Sequence, residues 1–189
     1  MSHDGRTTER DLADALTRAL QTTPLDKVTV SGLAATAGVT RQTFYVHFSD
    51  VYDLAAWTFR QEVADHVMSY ASYDGWADGM LELMRYMQGH RDEVRAVLSS
   101  LGLADTERFL FGHLREMMQA VVAEVQGDLI LTAADRDFVI DHFTLVALGH
   151  LLHWLAGDMR ADPYRLVSNL EFAVHGTAAE TLRRFAAAR

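Results

Sequence analysis

With 189 residues, of which 49% are apolar, the chain can bury a core and is too hydrophobic for a disordered segment. It has no cysteine, which excludes disulfides and cysteine-ligated metals, and its two prolines among many Ala, Leu, Met and Arg residues point to an all-α protein. The formal net charge of −9 argues against a uniformly basic DNA-binding surface. Residues 1–50, however, set Arg6, Arg10, Arg18, Lys27 and Arg41 against Asp4, Glu9, Asp11, Asp14, Asp26 and Asp50, so the acid excess lies farther along.

The polar opening MSHDGRTTERDLADALTRAL lacks the apolar centre of a signal peptide. The longest apolar stretch, Phe143 to Ala156, is interrupted by His150 and His153 and falls short of a membrane span. The expectation is a cytoplasmic protein with no membrane partner. A first amphipathic helix is predicted over Thr7 to Thr22, with Leu12, Ala15, Leu16, Ala19 and Leu20 on one face and Pro24 as the stop. Thr29 caps a second helix through Ala37, whose inward residues are Val30, Leu33, Ala34 and Ala37. Gly38 suits the left-handed position that ends it, and Thr40 caps a third helix from Arg41 to about Phe48. Phe44 and Phe48, four apart, share its buried face.

Longer helices follow from Val51. They are expected at about Val51–Tyr70, Trp76–Gln88, Asp92–Leu101 and Asp105–Gln126, then from Thr132 with Asp135 in capping-box spacing to Ala156. Asp162 and Pro163 start a last helix expected to reach Ala187. No strand and no internal repeat is legible.

A helix, a glycine turn and a second short helix make a helix-turn-helix, whose second helix enters the major groove. Close packing needs small residues on the first helix, here Ala34, Ala35 and Ala37, and polar ones leading the second, here Thr40, Arg41, Gln42 and Thr43. Arg suits the paired acceptors of guanine, and Gln suits adenine.

The run VTVSGLAATAGVTRQTFYVHFSDVYDL, and above all Phe44, Tyr45, His47 and Phe48 placed just after Gly38-Val39-Thr40, resembles the amino-terminal signature of TetR-family regulators. The stretch HLLHWLAGDMRADPYRLVSNLEFAVHGT is similar to the last two helices of that family. Within it, the likeness is to the dihydroxyacetone-kinase-activator type, whose reading helix also runs Arg-Gln-Thr-Phe-Tyr. The resemblance implies a three-helix DNA-binding domain over residues 1–50. It further implies a six-helix ligand-binding and dimerisation domain over 51–189, no catalysis, no cofactor, and binding to a pseudo-palindromic double-stranded operator as a homodimer. It places Arg41 and Gln42 against base edges and Val46 near a thymine methyl, with Thr29, Ser31, Thr43, Tyr45 and His47 at phosphates, and Thr40 at the helix start is a further DNA-binding candidate. One departure stands out. The family usually places a lysine at the start of the fourth helix, and this chain has Ser49-Asp50-Val51 there.

The resemblance also implies an effector pocket, for which Trp57, Trp76, Met80, Met84, Met87, Phe109, His113 and Met117 are candidates. Plain core packing is the alternative, because methionine fills irregular gaps. The dimer is expected to be a four-helix bundle using Leu148, Leu151, Leu152, Trp154, Leu155, Leu166 and Leu170. His150 and His153 sit three apart, a spacing a metal could use, but no carboxylate completes a set, so no metal is expected. Two rivals are a co-regulator that binds another protein instead of DNA, and a small helical enzyme or metal-binding protein.

Overall fold

Pro24, the glycine turns and a series of side-chain caps divide a helix-forming sequence into the elements seen in the computed structural model. It describes the backbone of residues 3–188 and the side chains of 7–64 and 68–188. The helices are α1 (His3–Leu20), α2 (Val30–Thr36), α3 (Arg41–His47), α4 (Val51–Met68), α5 (Trp76–Gly89), α6 (Arg91–Leu101), α7 (Leu103–Gln126), α8 (Ala133–Ala156), α9 (Pro163–Val174) and α10 (Thr177–Ala187). A single 3-10 turn, Leu25–Lys27, joins α1 to α2, and there is no strand among the described residues. The chain forms two compact units, Met1–Glu62 with His90–Leu103, and Val63–Gly89 with Ala104–Arg189.

In the first unit α1 packs on α2 and α2 on α3. Leu12, Ala15 and Leu16 of α1, Leu33 and Ala34 of α2, and Phe44 and Phe48 are all buried, which is the predicted core of the three-helix arrangement. Trp57 of α4 meets Phe48 edge-on at 5.9 Å, and Val94 and Val97 of α6 are also buried.

The second unit is built on α5, α7, α8, α9 and α10, with α5 against α9 and α10 against α8. Met80, Leu83, Met84 and Met87 of α5 are buried, as are Leu110, Leu114, Met117 and Val122 of α7. Two polar groups taken inside this unit, those of Thr144 and Trp154, are satisfied, as burial favours. The Thr144 hydroxyl donates to the Ile140 carbonyl at 2.7 Å, and Trp154 Nε1 donates to the Ala161 carbonyl at 2.9 Å. The Thr132 hydroxyl accepts from the Asp135 amide at 3.2 Å, and the Asp162 carboxylate accepts from the Tyr164 amide at 3.1 Å ahead of Pro163, so both predicted helix starts are capped as expected.

Helix α8 ends at Ala156 as expected, and the last helix differs from expectation. The single last helix is two helices, because Gly176 takes φ +76° and breaks it after Val174. The end of α8 uses Asp158 and Met159, at φ +61° and +54°, as its left-handed residues, whereas Gly157 keeps a negative φ. Burial of Met159 and a bond from its amide to the Trp154 carbonyl at 3.0 Å hold that turn.

On length and composition alone helix α8 would suffice to cross a membrane, as the core helices of many globular proteins would. Its Val139, Ile140, Phe143, Ala147, Leu148 and Leu151 are core residues of the second unit. Near its start Asp141 and Asp137 receive Arg115 of α7 at 2.6 and 3.4 Å, and the Asp141 hydrogen bond foremost raises the guanidinium pKa.

Candidate nucleic-acid interface

The turn between α2 and α3 is fixed by backbone geometry. The Val39 amide donates to the Ala34 carbonyl at 2.9 Å and the Gly38 amide to the Ala35 carbonyl at 3.3 Å, the paired bonds of a Schellman ending. This requires a left-handed residue, and Gly38 has φ +69°. A Cβ there would meet nothing within 4 Å, so Gly38→Ala should cost only the backbone penalty, about 1–2 kcal/mol. Chemical denaturation checks this, and a loss below about 0.5 kcal/mol would show that the turn tolerates the side chain.

Side chains cap both helices. The Thr29 hydroxyl accepts from the Gly32 amide at 3.1 Å, and the Thr40 hydroxyl accepts from the Thr43 amide at 3.0 Å while lying 2.9 Å from the Thr43 hydroxyl. On α3 the two faces separate cleanly. Phe44 has no exposed surface, with its ring centroid 5.6 Å from Tyr45 and 5.9 Å from Phe48. At the start of α3, Arg41 and Gln42 are exposed and pair with no described residue. Tyr45 is 51% and Val46 75% exposed, a high value for an apolar side chain. Thr29, Ser31 and Thr40 are exposed too, and Thr43 is half-buried. His47 turns back toward α1, its Nδ1 3.4 Å from the Glu9 carboxylate.

The beginning of α4 carries acid. The Asp50 carboxylate accepts from the Asp53 amide at 2.8 Å, and the Asp53 carboxylate accepts from the Ser49 amide and hydroxyl at 2.9 and 3.2 Å. Val51, at the place where the resemblance leads one to look for a lysine, is buried.

Residues 12–56 match the family described as bacterial regulatory proteins, tetR family, and residues 74–176 match the transcriptional regulator C-terminal region of TetR type. The chain belongs to the TetR family of transcriptional regulators. A TetR-family relative, the HTH-type dhaKLM operon transcriptional activator DhaS of Lactococcus lactis subsp. lactis (strain IL1403), is 31% identical over 80 residues, 42% of this chain and 43% of that protein. The matched stretch thus spans less than half the relative's length. Among solved structures, the dihydroxyacetone kinase operon activator DhaS superposes with a TM-score of 0.64 at 18% identity, covering 94% of this chain and 97% of that one. The TetR family repressor AlkX from Dietzia sp. strain DQ12-45-1b gives 0.61 at 18% identity, covering 94% and 96%. These two likenesses establish a TetR fold. The families and relatives are transcriptional regulators and not enzymes.

The residues expected at the other candidate sites of this TetR-family chain are found in different surroundings. Of the expected pocket residues only Trp76 lines the apolar cleft found in the second unit. Met80, Met84, Met87 and Met117 are packed core, filling gaps between helices. Trp57 belongs to the first unit beside Phe48, and Phe109 and His113 pack with tilted rings whose centroids are 4.5 Å apart, the His113 Nδ1 lying 3.0 Å from the Phe109 carbonyl oxygen. Sequence reasoning missed Tyr73, Phe143, Val146, Ala147 and His175, which do line the cleft. The only signal was Gly176, which brings His175 to the break between α9 and α10.

The residues expected at a dimer face differ in exposure. Leu148, Leu151, Trp154 and Leu170 are buried within the chain itself, and Leu152, Leu155 and Leu166 are half-buried. The exposed stripe of α8 runs through Phe138, His142, Leu145, Gly149, His153 and Ala156 at helical spacing, and on α9 Tyr164, Ser168 and Phe172 do the same. Phe172 is 90% exposed. His150 is exposed as well, and among the described residues no group of three His, Cys, Asp or Glu is placed to hold a metal ion.

Proposed function

We propose that this TetR-family regulator binds a pseudo-palindromic operator in the cytoplasm as a homodimer, and that a small, partly apolar ligand controls its DNA affinity. In this reading residues 1–50 are the DNA-binding domain and residues 51–189 the ligand-binding and dimerisation domain. The observation that carries it is the outward face of α3. Arg41 and Gln42 stand free beside the exposed Tyr45 and Val46 on a helix locked from behind by Phe44 and Phe48.

Arg41 addresses the acceptor pair of a guanine, Gln42 an adenine, and Val46 a thymine methyl. Thr29, Ser31, Thr40, Thr43, Tyr45 and His47 meet the backbone and set the register. The exposed stripes of α8 and α9 pair with those of a second copy, presenting two reading helices to half-sites one helical turn apart, roughly 34–36 Å. A ligand that binds one separation of the reading helices better than the other shifts the population and hence the affinity.

Arg41→Ala should cost about 1–3 kcal/mol of operator affinity and erase discrimination at one base position, measured by fluorescence anisotropy on base-substituted duplexes. Unchanged affinity and preference would remove the base-contact role. The co-regulator reading has support of its own. The carboxylates of Asp50 and Asp53 and the buried Val51 remove favourable charge where a phosphate would approach. Under that reading the protein retards no upstream duplex even at low salt.

A further inference from the structure

The apolar cleft of the second unit has a floor of Trp76, Met118, Val121, Phe143, Ala147 and Leu170 and a mouth formed by Tyr73 and His175. Its free space is about 30 Å³, enough for a water molecule and far below the roughly 150 Å³ that an enclosed benzene occupies. Anything larger enters only if the wall moves. The wall at the mouth is the part least supported by regular helix. The Tyr73 amide donates to the Glu124 carboxylate at 2.8 Å, and the Tyr73 hydroxyl accepts from the Gly176 amide at 3.1 Å. The Tyr73 and His175 rings lie 5.6 Å apart. A segment between α4 and α5 is thereby latched onto the break between α9 and α10 by one side-chain hydrogen bond, which contributes only about 0.5–1.5 kcal/mol.

The chemistry of the mouth is donor-rich. The hydroxyl hydrogen of Tyr73 and the ring nitrogens of His175 have no partner among the described residues. Behind them every floor residue except Trp76 is purely apolar or a thioether.

We propose that this cleft is a latched site for a compact one-ring compound bearing a carbonyl or carboxylate oxygen. The ring displaces the latch and packs on Trp76, Phe143 and Leu170, and its oxygen accepts from Tyr73 and His175. This proposal rests on the ligand-control reading and assigns its location and ligand class.

The test is calorimetric titration of the full chain with acetophenone, phenylacetate and toluene. The two oxygen-bearing compounds should bind more tightly than toluene. Tyr73→Phe should weaken them about tenfold while sparing toluene. Val146→Phe, filling the half-buried rim, should weaken all three at least about tenfold with the melting temperature retained. Val174→Phe replaces it should that variant fail to fold. Binding unchanged in the filled variants, binding of none of the three compounds, or equal loss of all three in Tyr73→Phe would overturn the proposal. Operator affinity is read separately. A probe that binds here without altering it leaves the site standing and removes the ligand control. An unrelated compound that alters operator affinity equally in wild type and filled variants does the reverse.

Discussion

Phe44→Ala should destabilise the first unit by about 3–5 kcal/mol, a large share of the roughly 5–15 kcal/mol that holds a typical domain together. Phe44 has no exposed surface and sits against Phe48, which in turn meets Trp57. Removing the ring leaves a void that α2 and α3 cannot close, because the Gly38 turn and the two threonine caps fix their separation. Denaturant unfolding of a variant with Trp76 and Trp154 replaced by Phe, followed by Trp57 fluorescence, should show a lower midpoint. DNA binding should be lost with it, although Phe44 itself faces away from any DNA. Phe44→Leu, which keeps most of the volume, should recover most of both. A variant as stable as the wild type would mean that α3 is held by something other than its apolar face.

Leu145→Glu combined with Phe172→Glu should turn the proposed homodimer into monomers. Both side chains are exposed in the protomer, at 54% and 90%, so the substitutions leave its own core intact. In a two-fold interface each change occurs twice, and each unpaired charge buried there costs about 3–5 kcal/mol. Light scattering at micromolar concentration should give half the wild-type mass, and operator affinity should fall by at least two orders of magnitude as one reading helix is lost. A variant that stays dimeric would move the interface away from the outer stripes of α8 and α9.

The head was legible in the sequence because its determinants are local. Thr29, Gly38 and Thr40 specify caps and a left-handed turn through interactions that span at most five residues, and Phe44 and Phe48 are one helical turn apart. The cleft was not legible, because it depends on Tyr73, Val121, Phe143 and His175 meeting from four distant parts of the chain. A methionine-rich stretch signals burial but not which side of a helix stays open, so Met80, Met84 and Met87 read equally well as pocket or core. The proposed dimer face is hard to read from sequence for a related reason. Leucines at helical spacing mark the face that buries first, and in α8 that face is claimed by the protomer itself through Leu148 and Leu151. The stripe left over mixes Leu145 with the less apolar His142, Gly149 and His153.

The most direct test of the regulator's proposed contact with DNA is anisotropy of the purified wild-type protein on a duplex from upstream of its own gene, against a scrambled duplex, across a salt series. The account predicts preference for the upstream duplex by at least about 10³-fold. It also predicts a shallow salt dependence, each neutralised phosphate adding roughly 0.9 to the log–log slope and the acidic start of α4 adding none. Equal or absent binding to both duplexes at low salt would contradict it.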